Sequence, residues 1–283
     1  TPDMSSGDST TPQPDGDTPQ PDGSTPQPDL ATTSALQAVM NTLLIPKAST
    51  DYAHDIDGNG SPDNRLGGII GTILGLPGVN VDLQSQVDQQ LSSGSLLLLF
   101  DLKAQSLQND SASSMDIGQG TDTDGNPANN FSGSAELSFA TGTPPVKVTG
   151  SITNGKLVAE GEVSIAVPLG TTPAIVTLKK GYVEADVSAS GMANGKVAGA
   201  IPMDQVNNVL IPAIATMMND PTLDPTIKNI FDADKDGTIS AAELKGNLLI
   251  SFLLAPDVDT DGQAGPDALS LGVGFTAVPC VLK

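Results

Sequence analysis

Residues 154 to 167 read Asn154-Gly155-Lys156-Leu157-Val158-Ala159-Glu160-Gly161-Glu162-Val163-Ser164-Ile165-Ala166-Val167. Leu157, Ala159, Gly161, Val163, Ile165 and Val167 share one parity, with Lys156, Glu160, Glu162 and Ser164 on the other. Alternation sustained over that length is the period of a strand whose two faces meet different surroundings. The Asn-Gly pair ahead of it suits the two positive-φ positions of a type I′ hairpin turn, so another strand should precede residue 154. The same Asn-Gly-Lys triplet returns at 194–196 and is expected to close a second hairpin.

Strand-like alternation extends from Ser95 to Pro202, taking in Leu96 to Ala104 and Phe131 to Ala140, and Leu269, Leu271, Val273 and Phe275 make a last strand. Helical spacing governs the flanks. Leu36, Val39, Met40, Leu43 and Leu44 predict a helix capped by Thr33 or Ser34 and stopped by Pro46. Asp63 or Asn64 should cap a second helix carrying Ile69, Ile70, Ile73 and Leu74 and ending before Pro77, and Asp82 a third with Leu83, Val87 and Leu91. Asp204 is expected to cap a helix that turns Val206, Val209, Leu210, Ile214 and Met217 inward and bends at Pro212. The fold class expected is therefore α+β: an antiparallel β meander of about six strands, as a sheet or partly closed barrel, packed against several helices. Residues 31–283 suffice for one substantial core and are read as a single globular domain.

Residues 11–29 hold three copies of Thr-Pro-Gln-Pro-Asp, the first two extended by Gly-Asp and Gly-Ser. A segment with so little apolar surface is expected to be a disordered, polyproline-biased tether over residues 1–30. At about 3 Å per residue it would reach up to roughly 90 Å. It resembles the tethers that follow the lipid-bearing cysteine in bacterial surface lipoproteins. That resemblance implies an export signal and a lipid anchor upstream of residue 1.

Residues 232 to 243 read Asp-Ala-Asp-Lys-Asp-Gly-Thr-Ile-Ser-Ala-Ala-Glu, with oxygen donors at positions 1, 3, 5, 7, 9 and 12 and glycine at 6. This stretch resembles the calcium loop of the EF-hand family, over about 30 residues from 225 to 255. The resemblance implies Ca2+ held by Asp232, Asp234, Asp236, the Thr238 carbonyl, Ser240 through water, and Glu243. Ile239 occupies the apolar eighth position, which in the family pairs with a partner loop. Pro225–Phe231 allows only one to two turns of entering helix, whereas Ala241 to Ala255 should form a full exiting helix before Pro256. That departure favours a structural clip over a switch.

Two further loops begin in the same way. Asp257, Asp259 and Asp261 precede Gly262, with Asp267 placed to close the shell in the absence of a later glutamate, which extends the EF-hand-like segment to 225–267. Asp55, Asp57 and Asn59 precede Gly60, with Asp63 following, and this loop resembles those of thrombospondin type 3 repeats and, more loosely, of dockerins. In Asp122-Thr-Asp124-Gly125-Asn126 the glycine comes too early, and a solvated turn is the better account.

The net charge of −21 arises from 33 acidic and 12 basic residues, and only five of the acids are glutamate (Glu136, Glu160, Glu162, Glu184, Glu243). The three favoured loops hold four, four and three carboxylates and the tether six more, so 17 of the 33 are placed. The remainder nearly balances the bases, which fits metal ligation plus an acidic tail better than general surface supercharging. Such a chain is a poor partner for nucleic acid. Cys280 alone can form neither an internal disulfide nor a thiolate zinc cluster, and His54 is the only histidine. No nucleophile turn accompanies His54, so a hydrolase ranks last. No apolar run approaches the length of a transmembrane helix.

The function expected is that of a non-enzymatic calcium-binding protein, extracellular or at the cell surface, as a bacterial outer-membrane lipoprotein or periplasmic protein, in which Ca2+ stabilises the fold. The alternative is a carrier of an apolar ligand such as a lipid, with structural calcium. The sequence names no protein partner.

Overall fold

A computed structural model describes residues 33–75, 82–167, 174–219 and 225–283. The tether lies outside the described residues. Ten strands are present among them: β1 (Ser34–Leu44), β2 (Leu98–Lys103), β3 (Asn109–Asp122), β4 (Glu136–Phe139), β5 (Val146–Thr153), β6 (Lys156–Val167), β7 (Ala174–Ser188), β8 (Gly191–Pro202), β9 (Ala268–Pro279) and β10 (Val281–Leu282). The helices are α1 (Arg65–Leu74), α2 (Leu83–Ser92), α3 (Met203–Gln205), α4 (Ile211–Met218), α5 (Pro225–Phe231), α6 (Ala241–Gly246) and α7 (Leu248–Leu253), with a π turn, Val206–Leu210, joining α3 to α4.

The sheet closes on itself. β1 pairs with β2, β2 with β3, β3 with β5, and β5 to β9 follow in order until β9 pairs with β1, every pairing antiparallel. The result is a closed eight-stranded barrel, with more strands than the six or so expected in a sheet or partly closed barrel. β4 pairs with the end of β3, and the short β10 runs parallel to β4 over the outer wall. An eight-stranded barrel is just wide enough for side chains to fill it. Met40, Phe100, Met115, Leu178, Leu271 and Phe275 are among those inside, with the Phe100 and Phe275 rings stacked 5.2 Å apart.

The two ends of the barrel differ. At one end the described strands are joined by short turns, 104–108, Asn154-Gly155 and Ala189-Ser190, and both β1 and β9 have their chain-terminal ends there. At the other end lie the long connections that carry every helix, β4 and all three acidic loops. A cavity of about 40 Å³ remains at this second end, between α1 and the barrel, walled by apolar side chains such as Met40, Leu66, Ile70, Phe100 and Val273.

Several expectations hold: α1, α2, the hairpin at 154–155, the bent run after residue 203, and the last strand. The widened π turn lets the Ile211 N–H reach the Val206 carbonyl just ahead of Pro212, which has no N–H to continue the ladder. Asp204 lies in the first turn but makes no cap bond there. α1 ends at Leu74, before Pro77 as expected.

Others are corrected. The helix expected at 36–44 is strand β1. A register shift between Met40 and Thr42 puts Leu36, Ala38, Met40 and Leu43 all inside, while Val39 faces a small outer cluster under β4 and β10. The bulge thus imitates helical spacing within a strand buried on both sides. Asn194-Gly195 is not a hairpin turn but a bulge inside β8, and the turn between β7 and β8 is Ala189-Ser190. A β-carbon on Gly195 would come within 2.5 Å of the Phe275 ring, so the chain needs a glycine where it crosses that ring. Phe131 to Ala140 yields only the cover strand β4. The single exiting helix is broken into α6 and α7 at Asn247, whose extended backbone and side chain cap α7 through the Leu249 and Ile250 N–H groups.

Candidate metal centres

Each predicted loop brings three carboxylates together. Asp55, Asp57 and Asp63 form one group, Asp232, Asp234 and Asp236 a second, and Asp259, Asp261 and Asp267 a third, with one oxygen from each residue of a group within 4.8 Å of the others. All donors are hard oxygens, and such groups could hold a metal ion; exposed acidic groups are also common without one.

The 232–243 loop is wound by its own side chains. Asp232 Oδ2 accepts the Gly237 N–H at 2.9 Å, Asp234 Oδ1 that of Asp236 at 3.1 Å, and Asp236 Oδ1 that of Thr238 at 2.7 Å. Ser240 starts α6 and shares a capping box with Glu243, whose Oε2 accepts both the Ser240 N–H and hydroxyl. Glu243 Oε1 reaches across to the Ala233 and Asp234 N–H groups, at 2.7 and 3.2 Å. The Ser240 N–H and hydroxyl first, then the Asp234 and Ala233 N–H groups, hold the Glu243 carboxyl down to about 2. Glu243 therefore lies across the loop as an anion, outside the group of three aspartates. Asp232 is only 8 % exposed, and its Oδ1 is buried with no hydrogen-bond partner. A carboxylate oxygen in that condition is costly unless a cation meets it.

The 257–267 loop differs from expectation in one ligand. Asp257 turns away to bind the Ser270 N–H at 2.8 Å and hydroxyl at 2.5 Å, and so anchors the start of β9. Asp267 accepts both the N–H and hydroxyl of Thr260. Burial alone would raise the Asp267 carboxyl, and the two Thr260 bonds outweigh it and lower it.

In the 55–63 loop Asp55 accepts the Gly58 and Gly60 N–H groups, Asp57 that of Asn59, and Asp63 that of Ile56. Asn59 Oδ1 accepts the Ser61 N–H at 2.8 Å, just as Asp236 Oδ1 accepts that of Thr238. Asp63 is raised by burial first and then, against its Ile56 bond, by Asp57, Asp257 and Asp55. It is Asn64, not Asp63, that caps α1 through the Gly67 N–H, while its amide donates to the Asp51 and Gly272 carbonyls. Ile56 and Val258, the second residues of their loops, bury together on Ala200 and Ala268, which seats both loops on one patch of outer wall.

Composition did not point to the polar strut beside these loops. His54 stacks on Tyr182 with ring centroids 3.6 Å apart, the Tyr182 hydroxyl donates to Glu184 at 2.6 Å, and Lys196 sits 5.0 Å over the same ring. Burial first, then Lys196, lowers His54, and burial first, then Glu184, raises Tyr182. His54 thus lies flat on a ring whose hydroxyl is already engaged by Glu184. Residue 52 supports it: Tyr52 has φ of 52° and fits against β9 because Gly272 and Gly274 are bare, a β-carbon at the latter coming within 2.3 Å of its ring.

Among the described residues no helix is long and apolar enough to cross a membrane. Comparison with family models, curated proteins and solved structures finds no match to this chain.

Proposed function

We propose that this is a non-enzymatic calcium-binding protein of the cell exterior, in which Ca2+ in the acidic loops secures the decorated end of a closed barrel. The observation that carries the reading is the buried, unpartnered Oδ1 of Asp232, on which Asp234 and Asp236 converge. In the 232–243 loop, Asp232, Asp234 and Asp236 would hold the ion, with Thr238, Ser240 and Glu243 as the remaining donors of the calcium pattern. The 55–63 and 257–267 loops offer smaller sets, Asp55, Asp57 and Asp63 with Asn59 in the first and Asp259, Asp261 and Asp267 in the second, where Asp257 is committed to Ser270. A bound ion supplies charge neutralisation, and the chain supplies loops already wound by their own N–H bonds. Hard oxygen donors without thiolate or imidazole favour calcium over zinc or copper.

Extracellular modules work with dissociation constants of about 10⁻⁴ to 10⁻³ M, matched to the calcium outside cells. A tighter site at a hundredfold excess of ligand would add about 2.7 kcal/mol to stability. The melting temperature should therefore rise in calcium chloride relative to EGTA, and calorimetric titration should give one to three ions per chain. Equal melting curves in the two buffers would end this reading. The carrier alternative draws less support, because the apolar cavity of about 40 Å³ is far smaller than the roughly 300 Å³ at which ligand pockets begin, and the open hollow of about 650 Å³ beside it is lined by Lys47, Asp51, Gln84 and Asp88. A lipid found by native mass spectrometry on protein from its source would reverse that preference.

A further inference from the structure

The 232–243 loop is fastened to the barrel cap through one side chain. Asn219, the residue that ends α4, accepts the Ile239 N–H on Oδ1 at 2.8 Å and donates from Nδ2 to the Ile239 carbonyl at 2.8 Å. The same Nδ2 reaches the Ala215 carbonyl at 3.0 Å, and Lys228 donates to the Asn219 carbonyl at 3.4 Å. A carboxamide presents an acceptor and a donor in one plane, as a peptide group does, so a single asparagine can satisfy both main-chain groups of one residue as a neighbouring strand would. Ile239 is 2 % exposed, and without Asn219 its N–H and carbonyl would both be buried without these partners.

Ile239 divides the loop. On one side the Thr238 N–H is bound to Asp236, and on the other the Ser240 N–H and hydroxyl are bound to Glu243. Holding Ile239 therefore sets the aspartate half against the glutamate half. The helix that does the holding is itself fixed, because Ile211, Ala215 and Met218 of α4 pack into the barrel core with Ile239 and Leu244.

We infer that Asn219 is a positioning residue of the metal loop, one that takes the place of a second loop and makes this one self-sufficient. The inference rests on the reading of residues 232–243 as a calcium centre. It differs from a merely structural role in requiring that loss of Asn219 weaken the metal itself.

The test uses the full chain as wild type, Asn219→Ala and Asn219→Asp, the last keeping an acceptor for the Ile239 N–H but no donor for the carbonyl. Calcium chloride is titrated by calorimetry, and exchange of the Ile239 amide is followed by NMR in EGTA. Loss of both bonds in Asn219→Ala should weaken calcium binding by about tenfold and speed Ile239 exchange by at least as much, with Asn219→Asp between the two. Should Asn219→Ala fold too poorly to titrate, Asn219→Asp alone decides: weaker calcium binding upholds the inference and wild-type binding overturns it. A variant with faster Ile239 exchange but an unchanged calcium constant would make Asn219 a structural clamp only. A wild type that takes up no calcium while its Ile239 amide stays protected would instead overturn the calcium reading, and this inference with it.

Discussion

Asp232 is where the loop departs most from an ordinary turn, since an Asx turn in solvent has no need of a buried oxygen. Asp232→Asn preserves volume and can still accept the Gly237 N–H, but it removes the charge. Its calcium constant should weaken by about tenfold or more in calorimetric titration, against little change in the melting temperature measured in EGTA. Equal binding by the variant and wild type would place the ion elsewhere. Cys280 makes an independent prediction. It is buried beneath β10, and burial first, then Asp101, raises its thiol from 9.0 to about 12. A thiol whose folded value lies above its unfolded one contributes stability that is complete below about pH 9 and is lost as the pH climbs toward 12. The native thiol should thus resist a disulfide exchange reagent at pH 8, reacting only in denaturant, and the stability gap between wild type and Cys280→Ala should shift against wild type above pH 9.

Among the elements, the two Asn-Gly pairs teach why reading by motif has limits. At 154–155 the pair joins two strands, and both residues have positive φ, 51° and 80°. At 194–195 Asn194 also has positive φ, of 50°, yet the chain continues in β8. The two pairs share the left-handed asparagine but not the glycine: Gly155 also has positive φ, as a type I′ turn requires, whereas Gly195 does not and lies against the Phe275 ring. Gly195→Ala should therefore cost about 1–3 kcal/mol in urea unfolding, by overpacking against that ring. A neutral result would mean that the ring can move aside. The acidic loops and α1 were legible because their signals are local: ligand spacing and a capping residue. β1 was not, because its bulge copies helical spacing. β3 was not either: Asn109 to Asp122 is mostly Ser, Gly, Asp and Asn, with Met115 and Ile117 its only large apolar residues. Such a strand is held by its neighbours β2 and β5 rather than by propensity. Asp257 could not be separated from the true group of three by spacing, since its alternative partner, Ser270, lies beyond the loop.

At the scale of the whole molecule, closure depends on a long-range pairing. Val39 meets Val278 and Met40 meets Ala277, so the first and last barrel strands cannot join until nearly the entire chain is in place. Removing residues 268–283 would expose both β1 and β8 as bare edges and empty Leu271, Val273 and Phe275 from the core. The shortened chain should lose cooperative thermal unfolding by circular dichroism, and a sharp transition in that variant would show that the barrel is held elsewhere. The pairing also raises contact order, which places refolding among the slower β topologies, milliseconds to seconds or longer by stopped flow.

The polarity of the barrel has a geometric result. Ser34 leaves the wall at the end of tight turns, while the carboxylate groups sit around the opposite mouth. Anything that grips this protein by its N-terminal side therefore points its three groups of aspartates away from the grip, as a lamp is aimed by its stem.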